Sequence, residues 1–280
     1  IIAGLVGDVI LSTMGSVEST GEDQVHVTGG DFKVTSGGGV NLGTSVGTLD
    51  IETSGVGDVQ IKDVGHLTVE NLVAKEGHVT LKAAENVNIL GDINAAGNNL
   101  SVDSGGLISG LGYMIAKELA LDAVSGLGSE SDPLNSDVEE IKANVSDGDF
   151  YLREVDQVTL HDVDANNIGI LAGNNVELDS VESYLETGEV IIESAGHISS
   201  LYESSAGVIA DYVKLTDKDG ESDVNVLDFF GVIFDAIFDA NHSAELISKR
   251  NTYGIHERIS LSFFDGPGNA KDWVGIYYDW

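Results

Sequence analysis

The sequence predicts an all-β protein: a right-handed parallel β-helix, followed by a C-terminal amphipathic capping helix and the beginning of a β-sandwich. Three observations support this prediction. Apolar and polar residues alternate in short triplets along most of the chain, which is the pattern of half-buried strands. Gly, Asn, Asp and Ser separate the triplets, and one phrase occurs twice, as AGNNLSVDS at 96–104 and AGNNVELDS at 172–180.

The triplets set the period of the predicted coil. They recur through 49–102 and 158–192, and every second triplet returns after roughly 17 to 22 residues, a period within the range of solenoid repeats. A stack of antiparallel hairpins would show the same alternation. We favour the parallel β-helix because it also explains the 35 glycines, the 2 prolines and the few aromatic residues before position 225, since each strand must pair with the next coil.

The corners between strands are rich in residues that tolerate tight turns. Doubled asparagines at 98–99, 166–167 and 174–175 precede strands, and stacked coils would place their amides over one another in hydrogen-bonded ladders. Residues 104–148 interrupt the regular spacing. We interpret them as an irregular coil with an extended corner and a possible short helix around 113–120.

Composition excludes several classes of function. The chain has 47 acidic and 13 basic residues, a net charge of −34, and such a surface repels the phosphates of nucleic acid and attracts cations. The absence of cysteine excludes disulfides and thiolate sites. No run of 18 apolar residues occurs, so we expect no membrane insertion in this segment.

The punctuated coils resemble a known kind of protein. The strings LALDAVSGLGSESDPL (119–134) and GDFYLREVDQVTL (148–160) are similar to the repeat regions of filamentous haemagglutinin and related large bacterial adhesins. The resemblance covers residues 1–220. It implies secretion, an extracellular or outer-membrane-associated location on the bacterial surface, a fibre-like shape and binding to a receptor or glycan. It brings no catalytic residues with it.

An acidic stretch after the last coil has the spacing of a calcium loop. Oxygen-bearing side chains occupy positions 1, 3, 5, 7, 9 and 12 of such a loop, and they are Asp217, Asp219, Glu221, Asp223, Asn225 and Asp228. Ser222 stands where a turn glycine is expected, and Asp228 is shorter than the usual Glu. The alternative is a solvated acidic corner before a helix, where the helix dipole favours carboxylates.

The next segment changes its period. Phe230, Ile233, Phe234 and Ile237 follow an i, i+3, i+4, i+7 spacing, which predicts an amphipathic helix from Val226 to about Ile247. We expect it to cap the apolar end of the solenoid. Its polar face is acidic, which argues against the alternative of a membrane-surface helix.

The carboxy-terminal residues have a different character. A strand from Ile259 to Phe263, a turn and a strand from Trp273 to Tyr278 predict the start of a β-sandwich. The string FFDGPGNAKDWVGIY (263–277) resembles the opening of immunoglobulin-like modules that precede phosphoesterase domains in secreted bacterial proteins. We therefore divide the chain into 1–222 (β-helix), 223–250 (capping helix and linker) and 251–280 (immunoglobulin-like start).

These features favour a structural and adhesive stalk, part of a longer chain and not an enzyme in this region. Two alternatives stay open: a β-helix that binds or cleaves polysaccharide, and the stalk of a phosphoesterase whose catalytic domain follows residue 280. The cleavage alternative depends on His161, Asp162 and Asp164 in HDVDANN, because glycoside hydrolysis needs paired carboxylates. The histidines after Gly65, Gly77 and Gly196 lack metal-ligand spacing, and we interpret them as turn residues.

Overall fold

The computed structural model describes residues 1–4, 7–19, 24–95, 97–185, 188–201, 207–210 and 212–216 in full, and the backbone of 217, 221–227, 233–239, 244–248 and 261–264. These residues form β-strands and no α-helix. The strands are β1 Val9–Thr13, β2 Val17–Glu18, β3 Val27–Ser36, β4 Val40–Val56, β5 Val59–Asp63, β6 Leu67–Glu76, β7 Val79–Ala83, β8 Val87–Ile89, β9 Ile93–Asn94, β10 Asn99–Ser104, β11 Leu107–Ser109, β12 Tyr113–Ile115, β13 Glu118–Ala123, β14 Gly126–Leu127, β15 Leu134–Asp137, β16 Glu140–Val145, β17 Phe150–Glu154, β18 Val158–Ala165, β19 Ile168–Ala172, β20 Val176–Leu178, β21 Val181–Ser183, β22 Glu189–Ser194, β23 Ile198–Ser200, β24 Val208–Ile209, β25 Tyr212–Asp217, β26 Glu221–Leu227, β27 Ile233–Asp239, β28 Ala244–Ser248 and β29 Leu261–Phe264.

The chain divides into two compact units, Ile1–Leu152 and Arg153–Trp280. Within each unit strands of successive turns pair in parallel, and the solenoid has about 10 turns in all. The prediction of an all-β parallel solenoid is therefore confirmed, while its right-handedness stays a prediction. The predicted boundaries near 222 and 250 fall inside the second unit and also stay predictions.

A stack of strands in register forms the centre of the first unit. Strands β5, β7, β10, β13 and β16 each lie parallel to the next. One residue from each forms a buried column: Ile61, Leu81, Val102, Leu121 and Ala143. Burying a large aliphatic side chain contributes about 1.5–3 kcal/mol. Because each aliphatic lies on the one in the next turn, the core is continuous through this stack.

Alternation along each strand separates the core from the outer surface. In β5, Val59, Ile61 and Asp63 are buried, whereas Gln60 and Lys62 are exposed. The same alternation in β7 and β10 follows from the opposite directions of successive side chains in a strand. The triplets of the sequence are thus the inward-facing positions and the polar residue between them.

The second unit has the same organisation over its described residues. Strands β19, β22 and β25 stack in parallel, and they place Ile170, Ile192 and Leu215 in one buried column. The long strand β18 pairs along its first part with β20 and along its second part with β21. One continuous strand therefore lies against two strands of the next turn.

Buried hydroxyl groups close several corners. The Oγ of Ser104 donates to the carbonyl of Glu85 at 2.7 Å and accepts from the N–H of Gly106 at 3.2 Å. In the second unit the Oγ of Ser194 bonds the carbonyl of Asn174 at 2.7 Å and the N–H of Gly196 at 3.0 Å. These bonds satisfy backbone groups that the turn leaves without strand partners.

A buried carboxylate closes another corner. Asp63 is 3% exposed, and its Oδ2 accepts from the hydroxyl of Thr44 at 2.7 Å and from the N–H of Val46 at 3.0 Å. Its Oδ1 accepts from the N–H of Gly65 at 2.8 Å. Three donors from two turns therefore converge on one carboxylate, which is how a buried charge is compensated.

Side chains at other corners bond the backbone of the following turn. The acceptor belongs to the earlier turn and the N–H to the later one in the pairs Asp58–His78, Asn86–Leu107, Asp92–Tyr113, Asn167–Glu189 and Asn175–His197. At Asn99 the amide bonds a carboxylate instead of another asparagine. The amide of Asn99 donates to the Glu118 carboxylate at 2.8 Å, because Glu118 is its register partner in the next turn.

The segment at 113–120, where a short helix was possible, consists of strands. Strand β12 pairs in parallel with β9 and β15, and β13 pairs with β10 and β16. The corner that follows β14 closes through reciprocal backbone bonds between Ser129 and Asp132, at 3.1 and 3.2 Å. The apolar alternation of 119–123 therefore continues the coil.

The predicted helix from Val226 to Ile247 is not found in the described residues of that segment. Strand β26 pairs antiparallel with β27, and β28 pairs antiparallel with β25. A short run such as IFDAIFD satisfies a helical spacing, yet its Ile and Phe also favour strands, and backbone pairing with a neighbouring strand decides between them. Strand β29 overlaps the first predicted strand of the β-sandwich, while the second lies outside the described residues.

Candidate functional site

The residues of the predicted calcium loop occupy two strands and the segments beside them. Asp217 ends β25, and Glu221, Asp223 and Asn225 alternate along β26. Alternate residues of a strand lie about 6.8 Å apart along its axis, so this backbone spreads the three positions along one line. Asp219 and Asp228 lie outside the described residues. Calcium binding by this segment stays a prediction.

No group of three or more His, Asp or Glu side chains that could hold a metal ion occurs among the residues the structure describes. Within the same residues, no helix has the length and apolar character needed to cross a bilayer.

The corner of β18 gathers the three residues of the HDVDANN motif. The Nδ1 of His161 lies 2.9 Å from the Oδ2 of Asp179. Both side chains are partly buried, with 20% and 29% exposure. A carboxylate in this position orients an imidazole ring by hydrogen bonding to one of its nitrogens. His161 and Asp179 therefore form a pair on the outer surface between adjacent turns.

Asp162 adopts an uncommon backbone conformation. Its φ of 46° lies in the left-handed region, and no other non-glycine residue in the described part of the chain has a positive φ. Aspartate tolerates this region better than most residues. The conformation lets the chain turn between the part of β18 that pairs with β20 and the part that pairs with β21.

Asp164 is the titratable group of this corner with a shifted pKa. Partial burial raises the pKa of the Asp164 carboxyl above its ordinary value, the neighbouring Asp162 charge adds to the rise, and a hydrogen bond with Tyr184 opposes it. A carboxyl with a raised pKa keeps a proton to higher pH and is suited to act as a general acid. Asp162, Asp164 and the His161–Asp179 pair therefore supply acidic and basic groups at one corner.

Two members of this corner were missed by reasoning from the motif alone, Asp179 and Tyr184. The signal for Asp179 was present in the repeat. Aligning VTLHDVDA (158–165) with VELDSVES (176–183) superposes Val158 on Val176 and Val163 on Val181, as the strand register does. The same alignment places His161 over Asp179, so the internal repeat predicts the pair.

The corner histidine His78 has a structural role. The backbone N–H of His78 donates to the Oδ1 of Asp58 at 2.9 Å, and the ring Nδ1 of His78 accepts from the backbone N–H of Asn99 at 3.2 Å. Each bond joins one turn to the next. This arrangement agrees with the interpretation of His78 as a turn residue.

Comparison with protein-family models, with curated proteins and with solved structures finds no match for this chain. The resemblances to filamentous-haemagglutinin repeats and to an immunoglobulin-like module therefore stay predictions.

Proposed function

We propose that this chain is a structural and adhesive stalk segment of a large secreted or cell-surface bacterial protein, and that this region is not catalytic. The observation that supports it most is the continuous aliphatic column from Ile61 to Ala143. Stacked aliphatics fill the interior of the turns, so ligands have to bind the outer surface. Repeat architectures of this kind gain stability from contacts between neighbouring turns, which suits a load-bearing segment.

The outer surface of the same strands supports the adhesive part of the proposal. Asn41, Gln60, Thr80 and Ser101 follow one another in register on successive turns. Amide and hydroxyl groups repeated at the strand spacing of about 4.8 Å offer hydrogen bonds to a ligand that lies along the stack. Polar ligands with repeating hydroxyl groups, such as glycans, match this chemistry.

Bead retention tests the proposal. Beads that carry the purified chain are passed over cell layers and over immobilised polysaccharides. The control beads carry Leu81→Asp, which places a charge in the fully buried column and should unfold the stack. We expect retention of the wild-type beads and loss of retention with the variant. Equal retention of both, or none with either, would contradict an adhesive role of the folded solenoid.

Polysaccharide cleavage is the second candidate, because of the raised pKa of Asp164 beside the left-handed Asp162. In this mechanism Asp164 protonates the leaving glycosidic oxygen. The carboxylate of Asp162 activates water or stabilises the cationic transition state. Cleavage is measured as the release of new reducing ends from uronate polysaccharides and from neutral polysaccharides. Activity that disappears in Asp164→Asn but persists in Asp103→Asn would replace the stalk proposal. No release from any polymer would remove this candidate.

A further inference from the structure

The corner between β14 and β15 is longer than the corresponding corner of the preceding turn. From Ile108 to Met114 the chain advances six residues, whereas between their register partners Leu127 and Ser136 it advances nine. Neighbouring turns lie only about 4.8 Å apart, so the additional residues have to leave the stack sideways. We call residues 128–133 the corner loop.

The two ends of the corner loop lie in contact. Gly128 has a φ of 65°, in the left-handed region that favours glycine, and a Cβ on it would lie 2.9 Å from the backbone nitrogen of Leu134. The Ser129 N–H donates to the Asp132 carbonyl at 3.1 Å, and the Asp132 N–H donates back to the Ser129 carbonyl at 3.2 Å. These bonds close the loop upon itself.

The tip of the corner loop consists of Glu130 and Ser131, and both are exposed. Among the described residues, neither of their backbone N–H groups forms a hydrogen bond, and Pro133 has no N–H to donate. The Ser131 hydroxyl lies 3.3 Å from that of Ser129 and 3.4 Å from an Asp132 carboxylate oxygen, so its contacts stay within the loop. In the described part of the chain, the tip is therefore joined to the solenoid through the two ends of the loop and not by hydrogen bonds to another turn.

An exposed glutamate in a corner of ordinary length shows the difference. Residues 84–86 are exposed as well, yet the Glu85 N–H donates to the Gly65 carbonyl of the preceding turn at 3.2 Å. The Asn86 side chain accepts from the Leu107 N–H of the following turn at 2.9 Å. An endopeptidase binds its substrate as an extended strand, so it has to detach these residues from both neighbouring turns before it can cleave after Glu85.

We infer that the corner loop is a processing site, at which an endopeptidase that cleaves after glutamate hydrolyses the bond between Glu130 and Ser131. Water adds across this peptide bond and leaves a carboxylate on Glu130 and an ammonium group on Ser131. Exposed loop tips with small or polar residues are the preferred sites of proteolytic cleavage. The loop contains no Lys or Arg, so a trypsin-like enzyme has no site here. This inference goes beyond the stalk proposal and does not depend on it.

The stack holds the chain together across the cleaved bond. Cleavage separates β12 from β15 and β13 from β16 along the chain, yet each pair remains joined as parallel neighbours. Leu119 and Leu121 of β13 lie in register with Ile141 and Ala143 of β16, and all four are buried. The two fragments therefore stay associated, and the cleaved chain keeps its fold.

Proteolysis of the native full chain by a glutamate-specific endopeptidase tests the inference. Mass spectrometry follows two new amino termini, Ser131 from the corner loop and Asn86 from the ordinary corner. Each rate is divided by the rate for a synthetic peptide of the same local sequence, which removes the sequence preference of the enzyme. We expect the corrected rate after Glu130 to exceed that after Glu85 by about tenfold or more, because bonds to neighbouring turns lower the population of the open form.

Two variants form a matched pair. Glu130→Gln and Glu85→Gln each remove one exposed carboxylate and change the net charge equally. Glu130→Gln should lose the Ser131 terminus, whereas Glu85→Gln should release it at the wild-type rate. Equal corrected rates at the two sites, faster cleavage after Glu85, no cleavage after Glu130, or a Ser131 terminus that persists in Glu130→Gln would overturn the inference.

Size-exclusion chromatography of the cleaved chain tests the association of the fragments. We expect the fragment that ends at Glu130 to elute together with the one that begins at Ser131, with the circular dichroism of the uncleaved chain. Separate elution would show that the pairing of β13 with β16 does not hold the stack together, and it would overturn that part of the inference.

Discussion

The buried carboxylate of Asp63 gives the sharpest test of how the corners are stabilised. The substitution Asp63→Asn keeps the shape of the side chain and replaces one accepting oxygen with a donating NH₂ group. The Oδ2 of Asp63 accepts from Thr44 at 2.7 Å and Val46 at 3.0 Å, and its Oδ1 accepts from Gly65 at 2.8 Å. Asparagine can serve the donors on one side only, so at least one buried donor loses its acceptor.

The magnitude follows from the number of bonds lost. A hydrogen bond to a charged group contributes about 1.5–3 kcal/mol, and a buried donor without an acceptor costs about 1–3 kcal/mol. With one or two donors affected, and some relief because the buried charge is removed, we expect a loss of about 2–4 kcal/mol in the free energy of unfolding. Urea denaturation followed by circular dichroism measures it as a lower midpoint at unchanged slope.

The matched control is Asp103→Asn. Asp103 forms an ion pair with Lys82 at 2.8 Å, but its side chain is 42% exposed, and exposed pairs contribute about 0–1 kcal/mol. We therefore expect the control to unfold within about 1 kcal/mol of the wild type. If Asp63→Asn cost no more than Asp103→Asn, the carboxylate would not be what holds this corner, and the reasoning would be wrong.

Three further predictions concern the core, a close approach between turns and a titrating group. Leu81→Ala should lower the free energy of unfolding by about 2–5 kcal/mol, whereas Thr80→Ala on the outer face of the same strand should change it little; equal urea midpoints would contradict the aliphatic column. Gly91→Ala should cost about 1–3 kcal/mol, because its Cβ would lie 1.8 Å from the carbonyl oxygen of Glu70, while Gly15→Ala has open space around it; thermal melts that rank the two equally would count against this packing. Because the folded state raises the pKa of Asp164 above its ordinary 3.8, ionisation of this carboxyl destabilises the fold above that pKa, and the cost disappears as the pH falls towards 3.8. Asp164→Asn should therefore melt above the wild type at neutral pH, with a difference that shrinks as the pH falls through the raised pKa and is absent below 3.8, and a difference that grows on acidification would refute the assignment.

Most of the solenoid could be predicted from the sequence. Triplets such as Val79-Thr80-Leu81 contain the period of a half-buried strand, and the Gly- and Ser-rich strings between them mark the corners. Each of these signals lies within a few consecutive residues, so one amino-acid sequence is enough to detect it. The residues that line up on adjacent turns could be recognised only where the repeat is close, as in 158–165 and 176–183.

Features that depend on the partner of a residue were harder to predict. The Ile and Phe residues of β27 fit a helical spacing, and only their antiparallel pairing with β26 selects the strand. The asparagines at corners were expected to bond each other, but Asn99 lies in register with Glu118 and bonds that carboxylate. In both cases the sequence limits the choices, and the neighbouring turn selects among them.

The candidate sites show the same division. His161, Asp162 and Asp164 were visible as a motif, while Asp179 and Tyr184 come from the next turn. The close approach at Gly43 gave no local signal, because it depends on the segment Gln24–His26 passing beside a residue without a side chain.

Five hydrogen bonds between corners share one direction along the chain. In the five pairs that include Asp58–His78 and Asn175–His197, the acceptor precedes the N–H that it binds by about one turn. At these corners the earlier turn thus provides amide or carboxylate oxygens of side chains, and the later turn provides the backbone N–H groups that bind them. A turn already in place can consequently hold the backbone of its successor at these five corners.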